Sequence, residues 1–220
     1  MSLADTLVAR TLERVDLSYG ATRDPYLRAV LPGDVDAEGN PNAQAVEMGS
    51  HQSSCLLFGR GVLAADEVDG TLTWAGAPLD VLRCPYADRR VLGRVEALLL
   101  ELARVRGLLV NHYNQAAMAD LRPGDLLVIG YGGSLPKDPA ERARHLAVWG
   151  GVAHGLMVVG VDQDGARVTS VDGGQTDAKN GGRPTAIAMR ERQLVTRENG
   201  LWLGNKRLNW RVRCADLSIR

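Results

Sequence analysis

Three cysteines in 220 residues, Cys55, Cys84 and Cys214, are too few and too widely spaced for a disulfide framework, and they lack the paired spacing of a zinc site. Net charge is missing as well. Twenty-six basic residues balance 26 acidic ones, so no long-range field draws the chain to nucleic acid or to an anionic membrane. No stretch approaches the roughly 20 apolar residues of a membrane span, and no internal repeat or low-complexity tract divides the chain. The first sixteen residues, MSLADTLVARTLERVD, interleave charged and apolar positions and lack the apolar run of a secretory signal. These absences lead to the expectation of one globular domain over residues 1–220, cytoplasmic at synthesis, folding without metal or cofactor and meeting any polymer through a local groove. An odd thiol count leaves one cysteine available for chemistry.

What is present reads as helices first and strands second. Leu3, Leu7, Ala9, Leu12 and Val15 form one side of a helix over 3–15. The stretch from Ser18 to Ser54 holds Gly20, Pro25, Pro32, Gly33, Gly39, Pro41 and Gly49, a density of breakers that predicts a long loop. CLLFGRGVLAA, from Cys55 to Ala65, predicts a buried helix capped by Ser53 or Ser54, which puts Cys55 in its first turn. A charged helix with the stripe Val91, Val95, Leu98, Leu99 and Leu102 follows over 88–105. From Pro123 the pattern changes to strands: 125–130, 155–161, 167–171, 186–195 and 208–214. Asp162-Gln163-Asp164-Gly165 predicts a hairpin turn, and Glu198-Asn199-Gly200 a second turn. The parts are then 1–50 (helix and loop), 51–122 (helical) and 123–220 (antiparallel sheet), an α+β order without βαβ alternation.

A thiol attacks as its thiolate, and the first turn of a helix favours that anion through its N–H groups and dipole. Cys55 has that placement, although a cysteine in so apolar a helix also reads as a packed core residue. His154 opens the apolar run GLMVV after Trp149-Gly150-Gly151, so it stands at the mouth of a strand. A base needs an orienting group on its second ring nitrogen. With Gln163 and Asp164 at the turn, Asp172 returns on the adjacent strand close to the level of His154. Singly, His154 also reads as a strand-end residue and Asp172 as a turn residue before Gly173-Gly174. His51 and His112 lack a comparable strand context. Cys84, before Pro85, and Cys214, at a strand end, read as packing residues, and Trp74, Trp202 and Trp210 as core or groove lining. The span 131–149, with Lys137, Asp138, Glu141, Arg142, Arg144 and His145, reads equally as a substrate-side flap or a solvated helical turn.

The succession Ser-Ser-Cys, Pro123-Gly124-Asp125-Leu-Leu-Val-Ile, His154-Gly-Leu-Met-Val-Val and Val171-Asp-Gly-Gly-Gln175 resembles the CHAP and NlpC-type branches of the papain-like cysteine hydrolases over 52–175. The resemblance implies a papain-like α+β fold with N-terminal helices packed on an antiparallel β-sheet. It further implies a triad of Cys55, His154 and Asp172 that cleaves an amide bond through a thioester. Gln175 is a second candidate for the orienting role, since the third member of such triads varies, and Gln52 is a candidate oxyanion donor. The implied substrate is a peptide or the peptide part of peptidoglycan, with no cofactor or metal. A secretion apparatus or phage lysis would deliver the protein to a cell wall, and an inhibitor is a further expected partner. Two alternatives use the same scaffold: an intracellular cysteine peptidase, deamidase or acyltransferase, and a catalytically silent peptide- or glycan-binding module.

Overall fold

The computed structural model describes residues 2–31, 38, 40–43, 46–47, 55–63, 66–68, 71–74, 77–78, 109–111, 121–130, 154–164, 166–197 and 200–214. Helix α1, Leu3–Leu12, starts at a capping box. The Ser2 hydroxyl accepts from the Asp5 N–H at 3.1 Å, while the Asp5 carboxylate accepts from the Ser2 N–H at 2.9 Å. The helix ends at Leu12 rather than at Val15, the next residues tighten into turns in which the Arg14 and Val15 N–H groups donate to the Thr11 and Leu12 carbonyls, and Asp16 then takes a left-handed φ of 67°. Helix α2, Arg23–Val30, corrects the expectation of unbroken loop after Ser18. Pro25 is its third residue, and proline is tolerated in a first turn, where its missing N–H has no intrahelical partner to lose. The helix buries Tyr26, Leu27, Ala29 and Val30.

Helix α3, Cys55–Leu63, forms where the sequence predicts it, with Phe58 and Val62 buried. It lies against α2 and against the sheet. The crossing with α2 depends on Gly61, where a Cβ would come within 1.9 Å of the Ala29 carbonyl oxygen. Residues 51–122 are not purely helical. They contain a small antiparallel sheet of β1 (Asp66–Val68), β2 (Thr71–Trp74) and β3 (Ala77–Pro78), and the strand β4 (Leu109–Asn111). The helix expected over 88–105 and the stretch 131–149 lie outside the described residues.

The main sheet contains β4, β5 (Leu126–Gly130), β6 (His154–Asp162), β7 (Arg167–Asp177), β8 (Arg183–Arg197), β9 (Gly200–Leu203) and β10 (Lys206–Val212). Pairing runs β10-β5-β6-β7-β8-β9, and β9 pairs back onto β10, so six antiparallel strands close into a barrel, with β4 paired to the far end of β10 along the edge that β9 takes at its start. The sheet is therefore antiparallel as expected, but closed, and closure removes the exposed edges an open sheet would carry. The β9–β10 hairpin, turning at Gly204-Asn205, supplies the closure and was not apparent in the sequence. Beyond closure, β7 and β8 run longer than their apolar patterns indicate.

Strand alternation sorts the side chains into two layers. Leu127, Ile129, Leu156, Val158 and Val168 share one face and cluster with Leu194, Leu201, Leu203 and Leu208 as the barrel core. On the opposite face Leu126, Met157 and Val171 pair in one row. Gly59 of α3 rests on this row, with a Cβ position 2.9 Å from the Leu126 side chain. The Pro123-Gly124-Asp125 turn launches β5 as its sequence predicts. Gly124 takes φ 91° and donates to the Val158 carbonyl, and the Asp125 carbonyl accepts from the Val158 N–H. The barrel thus fixes the start of β6, while α3 presses on β6 and β7 from outside.

Candidate active site

Cys55 is the first residue of α3 and is half-buried, and it is hydrogen-bonded to His154, the first residue of β6. His154 is placed by pairing with Ile129 on β5. Its Nε2 lies 2.7 Å from Oδ2 of Asp172, so Nδ1 is the ring nitrogen left for the thiol. Asp172 pairs with Leu156 on β6, one diagonal step from His154, which is the level the hairpin reading predicts. Two strands and one helix end therefore bring a thiol, an imidazole and a carboxylate into one chain of contacts. The imidazole is 18% exposed and the carboxylate 0%.

Asp172 has two further partners that sequence reasoning missed. The Ser170 hydroxyl, two residues earlier on the same face of β7, donates to Oδ1 at 2.7 Å. Arg192 on β8 donates from Nη1 to Oδ1 at 3.1 Å and from Nη2 to Oδ2, a two-point clamp on the carboxylate. Nη1 also donates to the Ser170 oxygen at 2.7 Å. Register alone would nominate the wrong arginine, since Arg190 is the residue opposite Ser170 and Arg192 the one opposite Val168. Arg192 leans along the strand to reach Asp172, whereas Arg190 turns to the Gln175 side-chain oxygen at 3.1 Å. The only sequence signal was polar Ser170 in step with Asp172 on a strand whose neighbours are apolar.

Gln175 accordingly does not face the imidazole. Its amide nitrogen donates to the Gly173 carbonyl at 3.3 Å and its oxygen is taken by Arg190. Gln52, Cys84, His51, His112 and His145 lie outside the described residues. Cys214 is fully buried, and burial pushes its thiol well above the ordinary range. Trp202 is buried beneath the Arg197 guanidinium, 4.4 Å from the ring centre, as a packing residue.

Electrostatics at the site favours charge. Burial works against the imidazolium of His154, but the Asp172 hydrogen bond, the Cys55 hydrogen bond and the charges of both partners outweigh it and raise the group from 6.5 to about 9. For Asp172, burial opposes ionisation, and the hydrogen bonds from His154 and then Arg192 overcome it, holding the carboxyl below its ordinary value. The arrangement can carry an imidazolium between the Asp172 carboxylate and the Cys55 sulfur. Among the described residues no group of three His, Cys, Asp or Glu side chains gathers as a metal site, and no helix is long and apolar enough to cross a membrane. Comparison with known proteins finds no family model, curated protein or solved structure that matches the chain.

Proposed function

We propose that this protein is a papain-like cysteine hydrolase that cleaves an amide bond through a thioester. The observation that carries the reading is the continuous contact Cys55–His154–Asp172, closed at 2.7 Å between imidazole and carboxylate, from three separate elements. A cysteine that merely packs a helix into a core has no use for a buried, ionised imidazole beside it. Such a group costs free energy to bury and is retained here by its hydrogen bonds to Asp172 and Cys55.

In the reaction, His154 Nδ1 holds the proton taken from the Cys55 thiol, and the thiolate adds to the substrate carbonyl carbon. The resulting oxyanion is received by backbone donors at the start of α3. Collapse expels the amine, which takes the proton from His154, and leaves an acyl group on Cys55. Neutral His154 then removes a proton from water, the hydroxide displaces the thiolate, and the acid leaves. Asp172 keeps Nε2–H as the donor toward itself, so that Nδ1 faces the thiol.

The resemblance in order of the Cys, PGD, His and Asp motifs to CHAP and NlpC-type enzymes supports a peptide bond of peptidoglycan as the substrate. Labelling with iodoacetamide across pH 5 to 9, read by peptide mass spectrometry, tests the chemistry. Cys55 should label at least tenfold faster than Cys214 at pH 7 and lose that advantage in His154→Ala. Release of peptides or free amines from purified wall fragments tests the substrate. Equal, slow labelling of Cys55 and Cys214 would reject the enzyme reading in favour of a silent binding module. Fast labelling without wall cleavage would keep the hydrolase and move the substrate to another amide.

A further inference from the structure

Arg192 stands where a simple triad needs nothing. A carboxylate with 0% exposure that only orients a histidine could be satisfied by that histidine and a hydroxyl. Instead its two oxygens also receive both Nη groups of a guanidinium from a neighbouring strand. The charge state of the other partner explains the need. The proposed reaction passes His154 from imidazolium to imidazole when the amine leaves, and it must stay neutral while water is activated. At that stage Asp172 loses its cation, and a buried carboxylate without one either recovers a proton or holds the histidine charged.

We propose that Arg192 is a positioning residue that serves as the permanent counter-ion of Asp172, keeping it anionic and fixed while His154 gives up and regains its proton. The inference rests on the cysteine hydrolase reading for its catalytic meaning, but its electrostatic content belongs to the site alone. Ser170 completes the device by donating to Oδ1 while accepting from Arg192, which ties hydroxyl, guanidinium and carboxylate into one closed set of hydrogen bonds. Among the described residues, the groups that face the His154–Asp172 pair are Cys55 from α3, Ser170 from β7 and Arg192 from β8. Arg192 carries the one guanidinium in that set.

Removing a fixed cation must make a nearby proton harder to lose, whichever of the two coupled groups carries it. In Arg192→Met the apparent titration midpoint of the His154–Asp172 pair should therefore rise by a full step of pH, about 1 or more. Arg192→Lys, which keeps the charge without the fork, should stay close to wild type. NMR of the imidazole signals reads this directly. The chain has four histidines, and His154→Ala identifies the relevant one. If an amide substrate is in hand, the acyl-enzyme of Arg192→Met should also accumulate near pH 7, with deacylation slowed about tenfold by a rise of that size, because the neutral base is scarcer. Should Arg192→Met not fold, Arg192→Gln, which keeps a hydrogen-bond donor but no charge, takes its place with the same expected rise. An unchanged His154 titration in a folded, charge-free variant overturns the proposal, as does an equal rise in Arg192→Lys. Slow labelling of wild-type Cys55 together with the expected NMR change would instead leave the counter-ion in place and remove the enzyme reading.

Discussion

Asp172 concentrates more of this molecule's chemistry than any other described side chain, because three groups with different needs converge on two oxygen atoms. Replacing it by Asn keeps the shape and removes the charge. The amide can then present either its oxygen or its NH2 to Nε2, so the tautomer is no longer dictated, and Arg192 loses its anion. The expected result in Asp172→Asn is a fall of about 10⁴-fold in turnover, the size that follows when the acid of such a triad is neutralised. His154 should simultaneously titrate well below about 9, since its largest favourable contact is lost; NMR of the imidazole and the pH dependence of Cys55 labelling both check it. How legible this was follows from range. Cys55, His154 and Asp172 could be nominated because a helix start, a strand start and one hairpin turn are local features, and the turn sets the register between β6 and β7 to within the one-residue shift at Val158/Gly160. Arg192 could not be nominated, because it pairs with Val168 and its side chain leans four positions along the strand, from the level of Val168 to that of Asp172.

At the scale of elements, glycines and one buried carboxylate set how the helices meet the barrel. Gly61 and Gly59 sit two residues apart on α3 and offer an internal comparison. A Cβ at Gly61 meets a backbone carbonyl at 1.9 Å, which can yield only if α2 shifts, whereas a Cβ at Gly59 meets a terminal methyl of Leu126 at 2.9 Å, which can rotate aside. Gly61→Ala should cost about 1 to 3 kcal/mol of stability and displace Cys55 from His154, while Gly59→Ala should cost less. Thermal unfolding and Cys55 labelling rates separate the two, and equal melting temperatures would refute the packing argument. Asp177 ties the segment after α1 to the β7–β8 connection. Its Oδ2 accepts from the Gly20 N–H at 2.8 Å and from the Thr185 hydroxyl at 3.0 Å, and its Oδ1 from the Lys179 N–H at 3.1 Å. Asp177→Ala leaves the buried Thr185 hydroxyl without this acceptor and hands the part-buried Gly20 and Lys179 N–H groups to water, so a loss of about 1 to 2 kcal/mol is expected in urea unfolding. Neither contact was visible in the sequence, since Gly20 and Asp177 are 157 residues apart and a glycine in a breaker-rich stretch reads only as loop. Closure of the barrel is hidden in the sequence for a related reason. β9 is a run of four residues, too short for a period-2 pattern to stand out.

For the whole molecule, the site links folding to pH in a direction that can be worked out. His154 is raised from 6.5 to about 9 on folding, so its favourable contribution is complete below pH 6.5 and disappears as pH rises through about 9. Asp172 is lowered from 3.8, so its contribution is complete above that value and is lost on strong acidification. The two together place the most stable range between roughly pH 4 and 6.5, below the neutral pH at which the site is expected to react. A change of this size in a mostly buried imidazole corresponds to a stability difference on the order of 3 kcal/mol between the two sides of the window. The thiol has its own titration, so the cleanest comparison uses a Cys55→Ala background. There His154 keeps Asp172 but loses the Cys55 contribution, and the fall should be centred between 6.5 and about 9 rather than at the upper end. Urea unfolding of Cys55→Ala with and without His154→Gln, at pH 6 and pH 9.5, should show the histidine's benefit at the lower pH and little of it at the higher. A benefit that is equal at both, or larger at pH 9.5, would mean that His154 is held neutral in the folded chain, and the charged relay from Asp172 to Cys55 would have to be abandoned along with the protonated His154 from which the leaving amine takes its proton.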